Sequence, residues 1–438
     1  MLVTEISIEQ QSIHDESSNK SVAKEIERPS HASFLSCWTV LSKTAIGVGL
    51  LGLASATAAC GWILGIFLLV LAGSAAMFTL HLINCLIMML GRRHVSFYTV
   101  ADRYAPAAKW IVDIAIAIKS LGVGTAYFQV YGTEMARFVA RVAPQVKDHM
   151  SMFTLRLLMI CIGLLVMIPI CFRKSIAKTA IINILGILGI TYIVAIGVVF
   201  TDADYPAEHS LSPTGSFVSI AAKFPIFIFT FTCHQNMFLV GEDMKDRSQK
   251  KLDLVALSSH LTGWLLFLPA LICPYMTYGA GVGSNFLDSM SANPNIKDSI
   301  AVIMAGLALA IAEISAYPLQ LFPCRRSTMV LVSAGRELST LAEKKLRRIL
   351  TACILLMSTT IAIFVEDLGV TLSVVGIIGS NTICFIMPSF FYCKAFDRKK
   401  NMLKWYLSAT VCTIATILLP ICLTAIIINA VNKTKKTE

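Results

Sequence analysis

The sequence predicts an all-α polytopic membrane protein with about eleven transmembrane helices. Composition is the first reason. Hydrophobic residues make up 56% of the 438 and Asp, Glu, Lys and Arg only 14%, where soluble domains average about 45–50% and 25%. A mean hydropathy of +0.72 leaves too few charges to cover a water-facing surface, which excludes a soluble enzyme. The second reason is spacing: apolar runs recur at the length of about 20 residues that crosses a bilayer as a helix. A barrel would instead show short alternating segments, and open strand edges have no partners in lipid.

In chain order, residues 1–33 are rich in Ser, Glu and Lys and poor in aromatics, the composition of a disordered tail. They hold no h-region, so no cleaved leader is expected. Spans are expected at 34–57, 61–90, 108–138, 153–172, 177–201, 216–241, 254–279, 299–323, 349–367, 370–394 and 404–430. The chain therefore divides into a cytosolic tail (1–33), a ten-span core (34–394) and an eleventh span with a short non-cytosolic tail (395–438). Orientation follows from the basic residues. With the amino terminus in the cytosol, 26 of the 37 Lys and Arg fall in cytosolic segments, nine in outer segments, and Lys43 and Lys119 inside spans. The formal charge of +11 is spread over those short segments, a topology signal with no block for nucleic acid. Thirteen cysteines lack any Cys-x-x-Cys pair and sit mostly in apolar runs, so they read as small hydrophobes and no metal or other cofactor is expected.

Two spans are not uniform. Residues 42–52, SKTAIGVGLLG, place Gly47, Gly49 and Gly52 in mid-span, where glycine makes local unwinding cheap. The sixth span has Pro225 followed by Phe231-Thr232-Cys233-His234-Gln235-Asn236 at similar depth. Interruptions at positions one and six correspond in a five-plus-five arrangement, and such pairs mark transporter sites. The same glycines satisfy G-x-G-x-x-G, but no strand precedes them and no acidic residue follows at ribose distance, which removes the dinucleotide reading. Close helix packing is the plain alternative. No His has an H-E-x-x-H neighbourhood and no pore-loop repeat occurs, so a membrane enzyme or a channel is disfavoured.

Several strings resemble the amino acid/auxin permease family, most closely its fungal vacuolar amino acid transporters and its sodium-coupled neutral amino acid transporter group. They are FTCHQNMF at 231–238, YPLQLFPCRRS at 317–327, IAIKSLGVGTAYF at 116–128, KTAIGVGLLGL at 43–53 and GSNTICFIMPSFFY at 379–392. The resemblance implies a LeuT-like fold of two inverted five-helix repeats plus an eleventh helix, with helices 1 and 6 broken and alternating access. It implies a small-molecule amino acid held by unwound backbone at Ala45, Ile46, Gly47, Gly49, Phe231, Thr232 and Cys233. The membrane would be vacuolar, lysosomal or the plasma membrane.

The coupling ion is where the sequence departs from the sodium-coupled members. Lys43 stands where they carry an Asn, as it does in the proton-coupled members. Either this ammonium replaces the sodium charge and transport is linked to H+, or Lys43 snorkels to the interface and Na+ stays possible. The family's sodium-binding hydroxyl falls at Ser315, or is absent if the register puts Ala316 there. Glu313 in mid-span is either a proton site or a structural partner of Lys119 or a hydroxyl. Lys119 is expected to pair with a carboxylate, His234 is either a proton carrier or a hydrogen-bonded structural group, and Ser380 and Asn381 either line a tenth-span break or pack. The odd number of spans puts the termini on opposite faces. In sealed vesicles, an epitope at the amino terminus and one at the carboxyl terminus should therefore differ in protease protection; identical protection would remove the odd count.

Overall fold

The computed structural model describes residues 32–91, 95–172, 180–202, 215–334, 336 and 338–437. The tail expected at 1–33, apart from its last two residues, and the expected start of the fifth span at Ala177 lie outside these. The described residues are helical, and their one β-type pairing is an isolated bridge between Ala32 and Met244. Helix starts are set by side chains that accept the otherwise unpaired first N–H groups. Ser33, Ser151, Ser216, Ser248 and Ser339 each accept from the N–H three residues on. Gly61, at φ 81°, ends one helix and begins the next, a turn that a side chain would strain.

The principal helices are α1 (Phe34–Ala45), α2 (Gly49–Cys60), α3 (Trp62–Leu90), α4 (Phe97–Tyr104), α5 (Lys109–Val142), α6 (Met152–Cys171), α7 (Ala180–Val199), α8 (Phe217–Thr230), α9 (His234–Asp243), α10 (Gln249–Tyr278), α11 (Phe286–Ala292), α12 (Ile300–Ser333), α13 (Thr340–Phe364), α14 (Leu368–Val375), α15 (Met387–Ala395) and α16 (Met402–Thr437). Among the described residues, nine helical stretches are long and apolar enough to cross a membrane, and the bent pair α1–α2 makes a tenth. Helix α7 lies where the fifth span is expected, and its apolar stretch Asn183–Val199 is shorter than the others.

The first span is interrupted between Ala45 and Gly49, and its two pieces meet at 43°. The sixth is interrupted at 231–233, between α8 and α9. In the tenth span Ser380 and Asn381 lie in no break. Helix Leu368–Ala395 is continuous, with π-helical winding over Gly376–Ser380 and Thr382–Ile386. That wider winding, frequent at functional sites, occurs where the helix is pressed by two neighbours. A Cβ on Gly376 would stand 2.4 Å from the Pro225 carbonyl oxygen, and one on Gly379 would stand 2.4 Å from Lys119 Cβ and 2.8 Å from its Cα.

Helices α5 and α12 run against each other over most of their length, and α10 touches α1, α2, α3 and α7. The tenth span is 78% buried across its apolar window, whereas the last helix is 22% buried, so α16 is a peripheral helix with its apolar surface outward. It joins the bundle through α8 and α15. Because Lys119 Cα belongs to backbone and cannot retreat, Gly379→Ala overpacks the contact between α5 and the tenth span. It should cost about 1–3 kcal/mol, read as a lower unfolding temperature of the detergent-solubilised protein; an unchanged temperature would show that the two helices can separate freely there.

Candidate substrate site at the paired helix breaks

Each break is made locally. In the first span the Ile46 N–H still bonds to the Ser42 carbonyl at 2.7 Å, but Leu50 and Leu51 reach back only three residues, to the Gly47 and Val48 carbonyls at 3.1 and 3.2 Å. In the sixth, the helix runs on through Pro225 to Thr230, and at the break Thr232 and Asn236 also make three-residue bonds, to Phe229 and Cys233. The two breaks abut. A Cβ on Gly49 would stand 2.7 Å from the Phe229 ring and 3.1 Å from Thr230 Cα, so only glycine lets α2 lie this close to α8. Asn236 Nδ2 donates to Thr44 Oγ1 at 2.7 Å, and that hydroxyl donates to the Val40 carbonyl at 2.6 Å. The halves flanking the two breaks are thus tied by one buried hydrogen-bond chain.

Between the breaks is a cavity of about 10 Å³ lined by Thr44, Ala45, Gly47, Val48, Gly49, Lys119, Val123, Tyr127, Phe229 and Thr232. That is room for about one water. The cavity is too small for an amino acid. Of the residues expected to hold substrate, Ala45, Gly47, Gly49 and Thr232 line this cavity. Ile46, Phe231 and Cys233 do not, although all three are buried in the breaks. The Phe231 ring faces away from the cavity into a cluster, stacked 5.6 Å from His260 and edge-on to Phe267 at 5.1 Å.

The ionisable groups fall into two sets. Lys43 is 1% exposed and Glu313 fully buried; Lys43 Nζ lies 3.9 Å from Glu313 Oε1 and 3.5 Å from the Ile46 carbonyl oxygen. Lys43 does not snorkel. Its stem crosses α7 at Gly186, where a Cβ would stand 2.7 Å from Lys43 Cε, and the Glu313 carboxylate reaches Gly47, whose Cβ would stand 3.8 Å from Oε2. Glu313 therefore pairs with Lys43 and not with Lys119. The carboxylate partner expected for Lys119 is replaced by an amide: its Nζ donates to Gln320 Oε1 at 3.3 Å.

The remaining expected residues sit apart. His234 Nε2 is 2.9 Å from Thr79 Oγ1 and 3.2 Å from the Ala76 carbonyl oxygen. Since a carbonyl only accepts, the hydrogen-bond network assigns the proton to Nε2. Ser315 Oγ donates to the Ala312 carbonyl at 2.9 Å. Asn381 Nδ2 donates to the Ala415 carbonyl at 2.8 Å, joining the tenth span to α16, and buried Ser380 Oγ has no hydrogen-bond partner. Among the described residues, no three His, Cys, Asp or Glu side chains converge as metal ligands.

Sequence reasoning missed Thr44, Asn236, Val123, Tyr127 and Gln320. A signal existed for part of this set. Lys119, Val123 and Tyr127 recur every four residues, and Glu313 and Gln320 stand seven apart, so each set lies on one helix face. A model of the family described as "Transmembrane amino acid transporter protein" matches residues 30–430.

The chain belongs to this amino acid transporter family.

Members of this family are transporters, and the chain is not read as an enzyme. It is 28% identical to vacuolar amino acid transporter 5 of Schizosaccharomyces pombe over 82% of its own length and 84% of that protein. It is 26% identical to vacuolar amino acid transporter 5 of Saccharomyces cerevisiae, covering 80% and 86%, and 24% identical to vacuolar amino acid transporter 6 of that yeast, covering 82% and 89%. Within this transporter a side chain added at Gly49 would meet both the Phe229 ring and the Thr230 backbone. Gly49→Leu should lower amino acid uptake by about tenfold or more, since overpacking of a few kcal/mol is exponential in population. The variant should still reach the membrane; uptake at the parental rate would remove the paired breaks as the site.

Proposed function

We propose that the chain is a secondary active transporter that moves amino acids by alternating access and is linked to protons. In this reading the spans form the LeuT-like pair of inverted five-helix repeats with α16 as the peripheral eleventh helix. The amino terminus faces the cytosol and the membrane bounds an acidic vacuole or lysosome; the names of the relatives support that compartment over the plasma membrane.

The observation that carries the proton linkage is the Lys43–Glu313 pair beside the breaks. A sodium ion needs a shell of oxygens, and a buried ammonium already supplies the positive charge at this place. Glu313 has neither carboxylate oxygen in a hydrogen bond, so its attachment is the ion pair itself. A proton on Glu313 cancels that attraction between the first and eighth spans, and its loss restores it. Proton occupancy thereby biases the separation of the two spans, as a ligand biases any two-state element. The Ser315 hydroxyl, already donating to Ala312, offers less to a sodium site.

The purified protein in liposomes should accumulate a labelled amino acid under an imposed proton gradient with choline in place of sodium. Uptake seen only with sodium would overturn the proton linkage. Removing one partner of a buried pair costs about 3–5 kcal/mol, whereas neutralising both partners is far milder. Glu313→Gln is therefore tested together with the double variant Lys43→Met, Glu313→Gln. Both should lose gradient-driven accumulation and keep exchange of labelled for unlabelled amino acid; gradient-driven accumulation in the double variant would remove the pair from coupling.

A further inference from the structure

Two buried lysines and one buried carboxylate lie at or beside the first break. Lys43 is matched by Glu313. Lys119 also lines the cavity and is 1% exposed, yet its hydrogen-bond partner is the neutral Gln320 amide. Among the described residues no carboxylate lies within ion-pair distance of its Nζ. The other polar side chains facing the cavity, Thr44, Tyr127 and Thr232, are neutral. An ammonium enclosed by neutral groups is costly, and a buried charge of this kind is normally paired.

Lys119 is held near both ends. Its Cα and Cβ are pressed against Gly379 of the tenth span, and Gln320 holds its head from α12. The root of the side chain is fixed while the ammonium stays at the cavity wall. What enters must bring the missing negative charge. On the reading of this cavity as the amino acid site, the substrate's carboxylate does so.

We infer that Lys119 is the carboxylate anchor of the substrate site: it selects ligands with a free, ionised carboxylate and rejects the corresponding esters, amides and amines. Backbone at the breaks is left to hold the ammonium end. A purely structural lysine, tying α5 to α12 through Gln320, would affect folding and rate but would not discriminate between an acid and its ester. The two roles therefore separate in a competition experiment.

The full chain is reconstituted in liposomes and screened with labelled neutral amino acids, and the one accumulated best is competed against its unlabelled acid, methyl ester and decarboxylated amine. The parent protein should prefer the acid by about 100-fold or more, because a site built to pair a polar group strongly rejects the analogue lacking it. Lys119→Met should raise the KM and bring the acid-to-ester ratio towards one, whereas Lys119→Arg, which keeps the charge, should keep most of the preference. If the parent itself does not distinguish acid from ester, or if Lys119→Met keeps the parental ratio whatever its rate, the inference is overturned. If the parent accumulates no amino acid at all, the reading of the cavity as an amino acid site fails first.

Discussion

Backbone that leaves helical geometry at membrane depth has to find partners inside the protein, because lipid supplies none. That constraint organises this molecule. Two breaks placed separately would each need their own enclosure. Placed face to face, as here, they share one, with Gly49 against Thr230 and Thr44 bonded to Asn236. The deeply buried third, eighth and tenth spans then serve as the wall that keeps lipid away from the unwound segments.

The same enclosure explains the charges. Lys43, Lys119 and Glu313 are all essentially buried, and each would be too costly against lipid. They are placed where the breaks already require a polar interior. Lys43 needs passage past α7, which Gly186 provides, and Glu313 needs room beside the first break, which Gly47 provides. Glycine at these positions does more than loosen a helix: it clears space for charged side chains from other helices. The cavity of about 10 Å³ shows how fully that space is taken up.

Much of this was legible in the chain before any coordinates. Span positions follow from hydropathy, which is local, and so do the two breaks, because glycine and proline act on their own turn of helix. Contacts were less legible. The resemblance put the backbone of Ile46, Phe231 and Cys233 among the substrate-holding groups; these residues do not line the cavity, and the Phe231 ring packs on His260 and Phe267. Ser380 and Asn381 were expected either to line a break in the tenth span or to pack. The tenth span winds there as π-helix, with Pro225 and Lys119 close against its glycines, and both of those lie far away in sequence.

By itself, the sequence determined the class of the protein, its succession of apolar spans and the two places where a helix gives way, since each depends on residues within a turn or two of one another. Only the tertiary structure decided which charge meets which. A carboxylate in mid-span had two lysines to choose from, and spacing alone could not say that Glu313 goes to Lys43 while Lys119 is left with an amide. That choice is made by helix packing, through contacts between groups hundreds of residues apart.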